Sequence, residues 1–600
     1  MREGGDFARP GAGSVGGVTG RLVIEDIRPR TPHPSHNAKA VVGERIRVTA
    51  VMFRDGHDPI EGRALLYAEG RPDPVDTAPL EPLGNDEWEA TVTASDVGRH
   101  RIEVQGHTVR FGMTGEVLGF DDALDLTTSE PIRLWVDRER ALVGAWYELF
   151  PRSYGGFKGV KMRVPELAAM GFDVLYVPPI HPIGRTFRKG PDNTLRAGPD
   201  DPGSPWAIGS EEGGHTAIHP DLGTADDLAD LISELRANGM ELALDYALQC
   251  SPDHPWVKGH PEWFHHRPDG TIACAENPPK IYQDIYPLNF WPEKEKDRKA
   301  MWSACKQIFD HWISFGVRIF RVDNPHTKPM AFWEWVIAEV QAEHPDVLFL
   351  AEAFTRPHVM ARLAESGFSQ SYTYFTWRTE QHGEEGLWAY MDELAHGPVA
   401  DYMRPNFWPN TPDILSGPLR NGPPSAFALR YVLAATLAPS YGVYSGYELY
   451  ENQPASETNE EYLHSEKYEI RRRDYDQPGS LVPLMSAVNR IRRYHPAFAR
   501  LRSTTFFPTT NPRVVAYSKA SDDGSDRVLV VVNLDPHDTQ EAFIHLDLGQ
   551  LRLPATSSYL VYDELSQETY TWAGADPFVR LDPANRVAHI FSLNLSTERP

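Results

Sequence analysis

The amino-acid sequence predicts a multidomain α/β and β protein: a central (β/α)8 barrel with loop insertions, flanked by an N-terminal and a C-terminal β-sandwich. Three observations carry this. Short alternating apolar runs broken by Pro, Gly and Asp fill the chain up to about Val143, apolar strands then alternate with amphipathic helices, and the alternating pattern returns from about Ser503. Strands alternating with helices signal βα units around a parallel sheet, whereas short strands separated by turn residues signal a sandwich. An eightfold βα alternation over about 350 residues favours closure into a barrel over an open doubly wound sheet.

Residues 1–20 (MREGGDFARPGAGSVGGVTG) read as a flexible Gly-rich leader, with no apolar core of a signal peptide. Residues 21–138 form the N-terminal sandwich, with strands at Arg21 to Ile27, Glu44 to Phe53, Ala64 to Ala68 and Trp88 to Thr93. The barrel takes residues 139–502, with inserted loops at about 181–222 and 249–296. Its eight strands lie at Val143 to Pro151, Phe172 to Ile180, Glu241 to Leu248, Arg318 to Asn324, Leu348 to Phe354, Ser369 to Phe375, Tyr402 to Trp408 and Tyr441 to Gly446. Helical spacing connects them at Ala225 to Asn238, Asp297 to Phe315, Met330 to His344 and Phe427 to Ala438. Residues 503–600 return to strands, as at Val514 to Ser518, Arg527 to Asn533 and Ser558 to Tyr562.

Composition narrows the function. The 600 residues are 41% hydrophobic and 24% charged, enough apolar material for a sizeable core. A net charge of −25 repels phosphate backbones and anionic lipid, so neither a nucleic acid nor a membrane is expected as a partner. Cys250, Cys274 and Cys305 have no CxxC spacing and read as reduced thiols of a cytoplasmic protein. No HxH or HExxH pattern occurs among the 23 His, so neither a metal nor a cofactor is expected.

On a barrel, the C-terminal strand ends form the active face, so acids there are the first candidates. Asp245, Asp323, Glu352 and Asp413 all fall in such segments. Asp323 and Glu352 lie one βα repeat apart, which places their carboxyls on neighbouring strands. Glycosyl transfer with retention needs such a pair at roughly 5 to 5.5 Å, one carboxylate to attack the anomeric carbon and one carboxylic acid to protonate the leaving oxygen. Arg321, two residues before Asp323, shares its barrel face and would keep that carboxylate ionised.

Arg321-Val-Asp323, then Glu352, then Asp413 resemble, in order and spacing, the catalytic set of the α-amylase-like family, glycoside hydrolase family 13. The strings Asp245-Tyr-Ala-Leu-Gln-Cys-Ser-Pro-Asp-His-Pro-Trp256, Asp323-Asn-Pro-His-Thr-Lys-Pro329 and Asn410-Thr-Pro-Asp413 are closer still to the branch of maltosyltransferases that use maltose 1-phosphate. The resemblance implies Asp323 as nucleophile, Glu352 as general acid, Asp413 as the acid that distorts the sugar, and Arg321 beside them. It implies Lys280, Tyr282 and Asn324 at the donor phosphate, with Ser204 within its reach. It places Lys189, Asn193, Gln249 and Asn277 at the donor sugar. The substrates it implies are an α-maltose 1-phosphate donor and an α-1,4-glucan acceptor, elongated at its non-reducing end with release of phosphate.

Gln249-Cys250 and Asn410-Thr-Pro-Asp413 replace the Asn-His and Asn-His-Asp of ordinary amylases, which removes the usual calcium ligand. A homodimer is expected from the family. The long helical insertion that helps form it has no counterpart between Arg101 and Arg138, where no extended helical spacing occurs. Tyr147, Trp206 and Phe354 are open between stacking on sugar rings and packing in the core. His326 and Lys328 are expected on the acceptor side, and His254 fits a structural histidine equally well. Two rival readings stand: an α-glucan hydrolase or other amylase-like transglycosylase, and a non-catalytic glucan-binding protein.

Overall fold

The computed structural model describes residues 21–111, 119–123, 125–277, 280–384 and 386–593. The expected leader, residues 1–20, lies outside them. The chain divides at Val136/Asp137 into two compact units.

The first unit holds two antiparallel sheets. In the strand Arg45–Arg54, Ile46, Val48, Ala50 and Met52 are buried while their neighbours are not, the period-2 pattern of a strand with one face on a core. These side chains meet Ala64, Leu66, Ile102, Val104 and Leu134 of the facing sheet. Among the described residues from Arg101 to Arg138 no α-helix forms.

In the second unit eight parallel strands close a barrel, each followed by a helix. They are β1 (Gly144–Glu148), β2 (Val174–Val177), β3 (Glu241–Tyr246), β4 (Ile319–Asp323), β5 (Leu348–Glu352), β6 (Gln370–Tyr372), β7 (Pro405–Phe407) and β8 (Ser440–Tyr444). The helices are α1 (Phe157–Ala169), α2 (Ala225–Ala237), α3 (Glu295–Ser314), α4 (Met330–Glu343), α5 (Pro357–Glu365), α6 (Leu387–His396), α7 (Pro424–Leu437) and α8 (Val482–Tyr494). Helix α2 shows why the sequence folds this way: Thr224 and Asp227 form a reciprocal capping box, and Leu228, Leu231, Ile232 and Leu235 make one buried stripe.

Strand alternation sorts the residues of the barrel. Leu175, Leu244, Phe320, Val322, Phe349 and Ala351 face the helices and join the large core, while the residues between them face the barrel axis. There Trp408 stacks on Tyr372 at 5.1 Å and meets Tyr176 edge-on at 6.3 Å.

The C-terminal sandwich pairs a six-stranded sheet with the ribbon Gln540–Phe543 and Phe578–Leu581. Its strand Val514–Ala520 departs from simple alternation, with six successive residues buried. Both faces are covered: Val514 and Ala516 enter the sandwich core, while Val515 and Tyr517 enter the core shared with the barrel. Helix α7 lies at that junction, buried all round from Ala426 to Leu437. Lys519 donates to the Leu437 carbonyl at 2.9 Å, and the Thr436 hydroxyl meets that of Tyr517 at 2.5 Å. Among the described residues no helix is long and apolar enough to cross a membrane.

A Cβ added at Gly442 of β8 would stand 2.3 Å from the Trp408 indole. Gly442→Ala is therefore expected to destabilise the protein by about 1–3 kcal/mol through overpacking. Urea unfolding measures this, and an unchanged midpoint would show that Trp408 can retreat without cost.

Candidate active site

Three neighbouring strand ends deliver the central acids. The register pairs Asp245 of β3 with Arg321 of β4, and Asp323 of β4 with Glu352 of β5. Because side chains two apart on a strand share a face, Arg321 and Asp323 both point inward. The Arg321 guanidinium is buried and donates to Asp245 Oδ2 at 2.9 Å and to Asp323 Oδ1 at 3.0 Å. Its other terminal nitrogen stands 3.4 Å from Glu352 Oε1.

One positive charge thus serves two buried carboxyls and the half-buried Glu352, more negative charge than it can balance. Burial and the neighbouring Asp323 push Asp245 and Glu352 each up to about 7, against the opposing pull of Arg321. Tyr176 of β2 donates to Asp245 Oδ2 at 2.6 Å, and the main-chain N–H of Asn324 donates to Glu352 Oε2 at 3.1 Å. On β1, Glu148 is buried and pushed well above the usual carboxylate range by burial, within the field of Asp245, Asp413 and Glu352. Its Oε2 makes no hydrogen bond among the described residues.

Asp413 stands in a tight turn closed by hydrogen bonds between Thr411 and Ile414. Asn410 ties this turn to β8, accepting from the Tyr444 amide at 3.1 Å and donating to the Tyr462 hydroxyl at 2.8 Å. The Asp413 carboxylate pairs with Lys467, whose ammonium lies 5.4 Å over the Trp206 ring. Trp206 also accepts from Gln249 through its carbonyl at 3.4 Å, and its amide donates to Ser204 Oγ at 3.4 Å.

Lys189 is buried and donates to Gln283 Oε1 at 2.7 Å and to the Ile281 carbonyl at 3.4 Å. The loop after β2 thereby clasps the hairpin of Ala275–Asn277 and Lys280–Tyr282. Asn193 adopts a positive φ of 63° with its Oδ1 buried. Asp192 beside it accepts from the His464 amide at 2.8 Å, binding that loop to the segment that carries Lys467. Tyr282 is half-buried and lies in the electrostatic reach of Lys467. The side chains of Asn277 and Lys280 lie outside the described residues.

Strand alternation settles the open reading of Tyr147, and hydrogen bonds that of His254. Trp146 and Glu148 face the barrel axis, so Tyr147 between them faces the helices. Its hydroxyl donates to Glu448 at 2.5 Å and its ring packs on Phe172, which removes it from any sugar. Trp206 is buried but adjoins Lys467 and Gln249, whereas Phe354 is half-buried against Tyr372 and Trp377. His254 is structural: its Nδ1 accepts from the Trp256 amide at 3.0 Å, and its Nε2 meets His215 Nδ1 at 3.0 Å. The relay ends where His215 Nε2 reaches the Ala247 carbonyl at 2.9 Å. His215, Cys250 and His254 converge closely enough to share an ion, yet both rings have committed every nitrogen to hydrogen bonds.

Glu148, Tyr176, Tyr372, Gln283 and Lys467 escape the sequence motifs. Alternation within the predicted first strand could have picked out Glu148, whereas no pattern marks Lys467. A cavity of about 460 Å³ is lined by Phe150, Pro178, Arg188, Pro205 and His219 among others, and none of Glu148, Asp245, Asp323, Glu352 and Asp413 lines it.

Comparison with known proteins places the fold and the family. A cyclomaltodextrinase structure, 16% identical with a TM-score of 0.58, covers 94% of this chain and 99% of its own. An α-amylase from Lactobacillus plantarum, 19% identical with a TM-score of 0.56, covers 76% of this chain and all of its own. These likenesses concern the fold. The family model described as "Alpha-1,4-glucan:maltose-1-phosphate maltosyltransferase, domain N/S" matches residues 20–112, and the one described as "GLGE, C-terminal" matches residues 506–593. The chain is 48% identical to alpha-1,4-glucan:maltose-1-phosphate maltosyltransferase 2 of Streptomyces coelicolor, over 95% of this chain and 96% of the relative. It is 42% identical to the enzyme of that name from Methylacidiphilum infernorum and 41% to that from Mycobacterium tuberculosis, in both cases over 96% of each chain. With near-full-length identity above 40% to relatives that share one name, the chain belongs to the α-1,4-glucan:maltose-1-phosphate maltosyltransferase family.

Proposed function

We propose that this protein transfers maltosyl units from α-maltose 1-phosphate to the non-reducing end of an α-1,4-glucan, with retention, through a β-maltosyl enzyme. The observation that carries the reading is the register of Asp323 with Glu352 across β4 and β5, both held on Arg321. An oxygen of Asp323 attacks the anomeric carbon, the bond from that carbon to the phosphate oxygen breaks, and phosphate leaves. Glu352, its carboxyl held near neutrality, supplies the proton where the leaving group needs one.

Esterification removes the Asp323 charge, which is one of the causes that lift Glu352. Glu352 then ionises more readily and takes the proton of the acceptor 4-hydroxyl as that oxygen attacks the anomeric carbon and Asp323 departs. Asp413, fixed by Lys467, hydrogen-bonds ring hydroxyls and favours the distorted sugar. We assign Lys280, Tyr282, Asn324 and Ser204 to the donor phosphate, and Lys189, Asn193, Gln249 and Asn277 to the donor sugar. The deciding experiment incubates the protein with α-maltose 1-phosphate and maltohexaose and follows phosphate release and product length. Products growing by two glucose units support the proposal, while growth by one unit or simple hydrolysis overturns it.

Asp323→Ala should lower turnover roughly a thousandfold or more while leaving Arg321 two carboxyl partners and the fold intact. A variant retaining a tenth of wild-type activity would mean that another group attacks.

The reverse reaction, in which phosphate cleaves the glucan, has a sugar oxygen as leaving group and needs Glu352 protonated in its first step. With that carboxyl at about 7, the protonated fraction and hence the rate should fall tenfold per pH unit above it, and Glu352→Gln should abolish that limb. A profile flat to pH 9 would remove Glu352 from the acid role.

Lys467→Met removes the ion pair with the Asp413 carboxylate and should cost roughly tenfold in kcat/KM for the donor, about 1.4 kcal/mol. Equal donor kinetics in variant and wild type would show that Asp413 holds its place without the ion pair.

A further inference from the structure

We propose that Lys328 is a positioning residue, whose ammonium holds the turn after Asp323 so that the Asn324 amide fixes Glu352. The inference rests on the reading of Asp323 and Glu352 just given, and it moves Lys328 from the acceptor side to the centre of the site.

Lys328 is buried, and its Nζ donates to the carbonyls of Asp323 and Asn324, each at 3.1 Å. Two of its three hydrogens are therefore spent on the main chain, leaving little with which to bind a glucan hydroxyl. The two carbonyls bracket Asn324, which adopts φ 43° and ψ 54°, a left-handed conformation uncommon outside glycine and tolerated by asparagine. That conformation aims the Asn324 N–H at Glu352 Oε2, 3.1 Å away on the next strand. The turn is braced from the outside as well. Trp333 of α4 donates to the Pro325 carbonyl at 2.9 Å, and the Thr327 hydroxyl donates to the Asn324 carbonyl at 2.8 Å.

Among the described residues the ammonium has neutral carbonyls as its direct partners, and burial lowers its pKa while the charges around it act through space. Asp323, Glu352 and Asp245 favour it, Arg321 opposes it, and His326 and Cys305 are the other titratable groups that feel it. Lys328 thus adds a second cation to a cluster in which one guanidinium serves three acids. It also converts the strained turn after the nucleophile into a tether between β4 and β5.

The test uses Lys328→Met, and Lys328→Gln as a variant that keeps a hydrogen-bond donor for the carbonyls should the first fail to fold. In the first half-reaction, donor without acceptor, Lys328→Met should form the glycosyl enzyme ten- to a hundred-fold more slowly, with the donor KM within threefold of wild type, and Lys328→Gln should show a smaller loss because its amide still donates. The alkaline limb assigned to Glu352 should also move. A half-reaction at the wild-type rate, with only the acceptor KM raised, would overturn the proposal and return Lys328 to the acceptor side. A crystal structure of the variant judges the geometry whatever the donor proves to be. Asn324 should leave the left-handed region and its amide should part from Glu352, whereas an unchanged turn overturns the inference. Should the wild-type protein itself fail on α-maltose 1-phosphate, the donor assignment falls and the crystallographic outcome still decides the role of Lys328.

Discussion

A single guanidinium buried at the mouth of the barrel sets the terms for everything around it. Taking Arg321 out of water is costly unless its donors are matched, and removing it would strand Asp245, Asp323 and Glu352 against one another. Strands β3, β4 and β5 must therefore end at matched heights, because Asp245, Asp323 and Glu352 meet the same side chain. The excess of negative charge keeps protons close at hand. With Asp245 and Glu352 both lifted toward neutrality, the cluster can give up or accept a proton at physiological pH, which suits the acid and base roles proposed for Glu352.

The loops above this cluster are organised by one another. The loop after β2 is held by Lys189 on Gln283 and by Asp192 on the backbone of His464, while Lys467 reaches back to Asp413. Segments far apart in the chain therefore share one framework around the position where a donor would lie. Functional residues on loops gain precision when those loops are braced by buried polar contacts, and each brace here ends on a residue adjoining a proposed binding group.

Much of this was legible from the chain alone, for identifiable reasons. The barrel strands read clearly because their outward faces must be apolar to meet the helices, and Asp245, Asp323, Glu352 and Asp413 stood out as acids at the ends of such runs. Tyr147 and Glu148 show where reading ran out. Both fit an apolar strand end; alternation puts them on opposite faces, and the register then decides that Glu148 faces the axis and Tyr147 the helices. Lys467 was invisible because it lies in irregular chain, where no periodicity links a residue to its spatial neighbours. The strand Val514–Ala520 read as one-sided, although the barrel covers its second face.

Helix α7 has no face of its own for solvent, since the barrel and the C-terminal sheet together close around it from Ala426 to Leu437. A chain emerging from the ribosome completes this helix before the sheet that covers it exists. Until the last strand pairs, the apolar surface of α7 is a sticky intermediate in need of chaperone or speed. Barrel and C-terminal sandwich are consequently one unit of inheritance: a recombination that exchanged one without the other would have to re-cut both surfaces of α7 at once.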